Sequence, residues 1–110
     1  MPWKDSLRRL WTGRQAASIA TEVVRRCRPH INERIRPRAA CMELAEARGY
    51  VRARSAAIVQ DQTQYLLSKV SARKLRQSEI ASAALESLVD LVIAELGATR
   101  QQKQLHRKAA

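Results

Sequence analysis

The side chains able to do covalent or metal chemistry are few: Cys27, Cys41, His30 and His106 are the only thiols and imidazoles in the chain. Cys27, His30 and Cys41 lack a fourth soft ligand and any paired C-x2-C spacing, so no metal site and no cofactor are expected. Without a secretory signal, two thiols read as reduced, small hydrophobes rather than as a disulfide. His30 follows Pro29 in an Arg-rich stretch and His106 stands near the C-terminus, neither beside a nucleophile. Glu43 and Glu46 fall three apart on one helix, where neighbouring arginines favour surface pairing over acid–base work. No G-x-S-x-G, P-loop, Gly-rich dinucleotide turn or H-E-x-x-H is present, and the glycines sit at expected helix ends with nothing to cradle a phosphate. The expectation is a protein that is not an enzyme.

Charge is the stronger signal. Lys and Arg number 21 against 10 Asp and Glu, a net charge of +11 in 110 residues. Residues 25–38 hold Arg25, Arg26, Arg28, Arg34, Arg36 and Arg38 with Glu33 as the only acid. Lys69, Arg73, Lys74 and Arg76 form a second group, Arg52 and Arg54 stand between the two, and Arg100, Lys103, Arg107 and Lys108 load the tail. Residues 78–96 carry only acids (Glu79, Glu86, Asp90, Glu95). Charge segregated in this way carries a self-repulsion that a polyanionic partner would relieve. Arginine dominates over lysine, which favours forked contacts to phosphate or carboxylate.

The elements that must position these charges read as helices. Trp3, Leu7, Leu10 and Trp11 mark one face of a short helix over residues 2–11, ended by Thr12-Gly13. A second runs from about Gln15 to Arg28 on Ile19, Val23, Val24 and Cys27, stopped by Pro29. Residues 29–36 form a connector, and Pro37 opens a third helix with Cys41, Leu44, Ala45 and Arg48 on one face, ended at Gly49-Tyr50. Residues 52–72 favour helix on Ala56, Val59, Thr63, Leu66 and Val70, although residues 50–54 alternate as a short strand would. Ser78 caps a final helix over 78–96, apolar around more than half its circumference. Such a helix is either central in its own domain or shared with a second subunit, which makes Leu88, Val89, Val92 and Ile93, with Trp3 and Trp11, the candidate partner or dimer interface. Gly97 ends it, and residues 98–110 read as a basic flexible tail.

Apolar residues make up 45% of the chain and aromatics 4%, a balance that gives one globular domain with a core of small aliphatics. The scarcity of Gly and Pro argues against an all-β chain. Arg or Glu interrupts every apolar window, so no transmembrane helix is expected; with no signal peptide, the expected compartment is the cytoplasm. The fold class expected is all-α: one domain over residues 1–97 with about four to five helices, followed by the tail.

The stretch Leu75-Arg76-Gln77-Ser78-Glu79-Ile80, with Ala84-Leu85 following, resembles the start of the second helix of ribbon-helix-helix DNA-binding proteins. The resemblance spans residues 50–93. It implies a ribbon strand over Val51–Arg54, a first helix over about residues 61–72, Arg52 and Arg54 reading the major groove, and an obligate dimer. A histone-like arrangement of short, long and short helices shares the same charge logic. The combined reading is a small basic homodimer that binds nucleic acid, duplex favoured, through the phosphate backbone. The contact residues are Arg25, Arg26, Arg28, Arg34, Arg36, Arg38, Arg52, Arg54, Arg73, Lys74 and Arg76, together with the tail. The alternative is a helical adaptor or accessory subunit that docks on an acidic protein.

Overall fold

A computed structural model describes the backbone of residues 2–70 and 76–109 and the side chains of residues 13–70 and 76–107. The described residues are almost all helical, with no strand among them. Helix α1 (Pro2–His30) passes through a π-helical turn (Ile31–Ile35) into the single turn α2 (Arg36–Ala39). The chain then reverses into α3 (Leu44–Lys69), and α4 (Gln77–Ala109) completes an elongated bundle 66 Å long. Three long helices thus replace the four to five expected.

The breaks anticipated at glycine and proline do not occur. Gly13, Gly49 and Gly97 all lie inside helices with negative φ and open space around them, so none terminates its helix. Propensity is a weak prior that packing overrides. Pro29 also sits inside α1, and the π-helical turn follows it immediately. Val51–Arg54, the ribbon strand of the resemblance, lies within α3, so Arg52 and Arg54 are helix side chains. Helix α4 begins at Gln77, where Ile80 N–H donates to the Arg76 carbonyl at 3.2 Å, which places Ser78 inside the first turn rather than at the cap. It continues past Gly97 to Ala109, so the residues read as a structureless tail are helix.

The reversal occupies Ala40-Cys41-Met42-Glu43, a segment with none of the usual turn residues. Glu43 takes an extended conformation (φ −57°, ψ 149°) and its carbonyl accepts the Ala47 N–H at 2.7 Å, starting α3. The Arg100 guanidinium, from α4, donates to the carbonyls of Ala40 (3.3 Å) and Met42. A distant arginine therefore caps a turn that its own sequence does not.

The core follows one rule in all three helices: a buried residue at every fourth position. Helix α1 and its continuation supply Ile19, Val23, Cys27, Ile31, Ile35 and Ala39; α3 supplies Ala47, Val51, Ser55, Val59 and Thr63; α4 supplies Ile80, Ala84, Leu88, Val92 and Leu96. These positions trace the i±4n ridge, the ridge used in the commonest class of helix packing. Four residues advance an α-helix by about 400°, so a four-residue stripe drifts by about 40° per step. From Ile19 to Ala39 the drift would reach about 200°, and the π-helical turn returns about half of it by spending one extra residue. Thr63 Oγ1 satisfies itself on the Val59 carbonyl at 2.7 Å, whereas the buried Ser55 hydroxyl has no partner.

The wide apolar face of α4 is consumed within the chain. Helix α4 packs on both α1 and α3. Leu88, Val89 and Val92 are core residues and Ile93 packs against them half-buried. The first three therefore offer no surface to a second subunit, which corrects their assignment as an interface. The side chains of Trp3 and Trp11 lie outside the described residues.

Candidate nucleic-acid interface

Most of the predicted phosphate-binding arginines are engaged by carboxylates. Arg25 grips Glu22 through two nitrogens (2.8 and 2.5 Å), and Arg26 Nε reaches the same carboxylate at 3.2 Å. The hydrogen bond from Arg25, reinforced by Arg26, holds the Glu22 carboxyl well below its ordinary range, at about 2. Arg52 forks onto Glu86 at 2.9 and 2.8 Å, and that bond raises the guanidinium above its ordinary value. Arg48 bonds Asp90 at 2.5 Å. Arg76 meets Glu79 at 3.3 Å.

Glu95 is the most connected acid. It accepts from Arg28 on α1 and from Arg36 on α2 (2.5 Å to the latter), closing the π-helical segment against α4. Residues eight apart on a regular α-helix point about 80° from each other. The extra residue of the π-helical turn brings the two guanidinium groups round to one carboxylate. Three of the four acids that made residues 78–96 look segregated, Glu86, Asp90 and Glu95, are thus partners of arginines on α1, α2 and α3, while Glu79 pairs with Arg76 just ahead of α4.

What remains unpaired is more informative. Among the described residues Arg14, Arg34, Arg38, Arg54, Lys69, Lys103 and Arg107 make no ion pair. Arg54 lies over the Tyr50 ring at 5.6 Å. Arg73 and Lys74 lie outside the described residues. At the far end of α4, Arg100, Lys103, Gln104 and Arg107 line one open concavity of about 220 Å³. Their spacing of three, four and seven puts them on a single helix face. Leu96 is the last buried residue of α4 among the described side chains, and residues 101–107 are exposed on every side, including Leu105 at 67%. No acid follows Glu95 in the sequence. Arg100 anchors the base of this stripe on the Ala40–Met42 turn, two residues from the exposed Arg38.

The structure therefore moves the emphasis from the Arg-rich connector to the end of α4. Arg34 and Arg38 are exposed and without an acid, Arg28 and Arg36 are occupied, and Arg25 and Arg26 are shared with Glu22. The stripe of Arg100, Lys103 and Arg107 was legible in its spacing, but only to a reading that continued the helix past Gly97. Cys27 is buried, and burial pushes its thiol up to about 11, while Cys41 is exposed and both are free thiols. No group of His, Cys, Asp and Glu able to hold a metal occurs among the described residues. None of the described helices is long and apolar enough to cross a membrane.

Comparison with family models, curated proteins and solved structures finds no match for this chain.

Proposed function

We propose that this protein binds nucleic acid through the phosphate backbone, with the exposed basic face of α4 as the primary contact and Arg34 and Arg38 flanking it. One observation carries the reading. Arg100, Lys103 and Arg107 share one face of a helical segment that has left the core and contains no acid. Cations on one helix face that are not neutralised internally can exchange counterions for phosphates, and each phosphate neutralised contributes about −0.9 to the slope of log K against log salt on a duplex. Contacts of this kind position the protein without reading sequence. A duplex is the favoured ligand for this face, which carries no aromatic side chain.

The test is a salt titration of duplex binding by the wild type and by the Lys103→Gln/Arg107→Gln variant. Three to five phosphate contacts give the wild type a slope of about −3 to −4.5, and the double variant flattens it by about two units. Both residues are exposed, so the melting temperature stays unchanged. An unchanged slope refutes the assignment of the site. Duplex binding weaker than about 0.1 mM near physiological salt, outside the ordinary non-specific range, refutes nucleic acid as the partner and moves the search to acidic proteins.

A further inference from the structure

A second cationic cluster lies near the C-terminal end of α3. Tyr65 is exposed at 43% although its neighbours Leu66 and Leu67 pack on the core. The Lys69 ammonium stands 4.5 Å from its ring centroid and the Arg26 guanidinium 5.4 Å. The two cations come from different helices: Lys69 lies one turn from Tyr65 on α3, whereas Arg26 is brought to the ring from α1 by the fold. Arg26 is held in place by Glu22, whereas Lys69 makes no ion pair among the described residues. The phenol is kept below its ordinary value by Lys69 beside it, with the charge of Arg26 adding to the effect.

We infer that Tyr65, Arg26 and Lys69 form a subsite for an unpaired nucleobase and its phosphate. The inference rests on the nucleic-acid reading above and extends it from the duplex backbone to single-stranded segments. A flat ring at the surface accepts any base by stacking, and that contact is stronger than the one an exposed ring makes with an ammonium group. An incoming base therefore replaces Lys69 over the ring. The released ammonium, on its flexible stem, is then within reach of the phosphate of the same nucleotide. Arg26, oriented by Glu22, stays at the ring and supplies the second cation. Aromatic residues are few, at 4% of the chain. A single ring flanked by two cations is sufficient for one base.

The experiment compares a short oligo(dT) strand with a blunt duplex of the same length, using wild type, Tyr65→Leu and Tyr65→Phe. Loss of one stacked base weakens strand binding about tenfold in Tyr65→Leu, while Tyr65→Phe keeps the ring and stays within about twofold. Duplex binding is the same in all three proteins. A strand carrying 5-iododeoxyuridine, photolysed on the wild type, crosslinks within the peptide that contains Tyr65. Equal effects of Tyr65→Leu on strand and duplex, no effect on either, a crosslink confined to other peptides, or no strand binding by the wild type would each overturn the inference. The parent reading fails separately. A flattened salt slope in Lys103→Gln/Arg107→Gln with a silent Tyr65→Leu removes only the subsite. An unchanged slope with selective loss of strand binding in Tyr65→Leu keeps the subsite and removes the α4 face.

Discussion

Deleting Asn32, an exposed residue of the π-helical turn, should leave the protein folded, whereas deleting Ala57, an equally exposed residue of α3, should unfold it. The reasoning starts from phase. Removing one residue from a regular helix rotates everything beyond it by about 100°. In α3 that rotation carries Val59 and Thr63 out of the core, together with the half-buried Leu66 and Leu67. At about 1.5–3 kcal/mol for a fully buried side chain and about half that for the partly buried ones, the loss is about 4.5–9 kcal/mol. That is comparable with the whole stability of a typical domain, about 5–15 kcal/mol. At Asn32 the helix already holds one residue more than a regular turn needs. Deletion converts the π-helical turn to α-helix, and Ile35 and Ala39 keep their places. Arg28 and Arg36 become seven apart, about 20° short of two full turns, so both still face Glu95. The expected change is within about 1 kcal/mol in either direction, or about 4–8 °C in melting temperature. Thermal unfolding followed by far-ultraviolet circular dichroism, with urea titration for the free energies, measures both variants. If the Asn32 deletion unfolds as completely as the Ala57 deletion, the four-residue stripe is not what the π-helical turn serves and the phase argument is wrong.

Further outcomes follow from single side chains. Glu95→Gln removes the negative charge shared by two partly exposed arginines and turns one of its two acceptor oxygens into a donor, which sets the loss at about 1–2 kcal/mol, between the surface and buried cases; adding Arg36→Met should then cost much less than it does alone, and additive effects would show that the pair is uncoupled. Ser55→Ala should raise stability by about 1 kcal/mol in urea unfolding, because it deletes a buried hydroxyl without a partner and adds helix propensity. Glu22 titrates near 2 in the folded chain against an ordinary value of 4.5, so its pairing contribution is fully present above pH 4.5 and is lost as the pH falls through 2; a carboxyl resonance with its midpoint at 4.5 would show the pair absent. At mildly alkaline pH Cys41 should be alkylated at once and Cys27 only on unfolding, since Cys27 is 1% exposed and its thiol is pushed up to about 11; two equally fast thiols would contradict the core assignment.

The all-helical class was legible because a core of Ala, Val, Leu and Ile at helical spacing leaves little else to build. The periodicity of residues 80–96 located α4 within its first turn. Boundaries were not legible, for a specific reason. Gly13, Pro29, Gly49 and Gly97 are local stop signals, yet each lies inside a helix, and Pro29 and Gly49 fall within an every-fourth stripe of buried residues. The true reversal at Ala40–Glu43 has no local signal at all, because its carbonyls are satisfied by Arg100, sixty residues away from Ala40 in the chain. Charge was legible in amount and not in availability. Nothing in the spacing of Arg28 and Arg36 reveals that Glu95 will occupy both, since the alignment depends on a π-helical turn. Nor does Tyr65 announce Arg26, which reaches it from another helix.

Helix α4 divides its labour along its length, and the division separates what holds the protein together from what is free to bind. Glu86, Asp90 and Glu95 face arginines of the other helices; beyond Glu95 every charged residue is a cation, and residues 101–107 are exposed. The bundle's ion pairs are solvent-exposed or partly so, and pairs of that kind add little to stability. The folding free energy comes instead from the aliphatic stripes, which salt does not screen. Raising the ionic strength therefore weakens the phosphate contacts of the exposed stripe steeply while the bundle stays folded. A salt-dependent loss of binding consequently reports on Arg100, Lys103 and Arg107 and their neighbours rather than on unfolding, a separation that a uniformly basic surface built on ion pairs would not give.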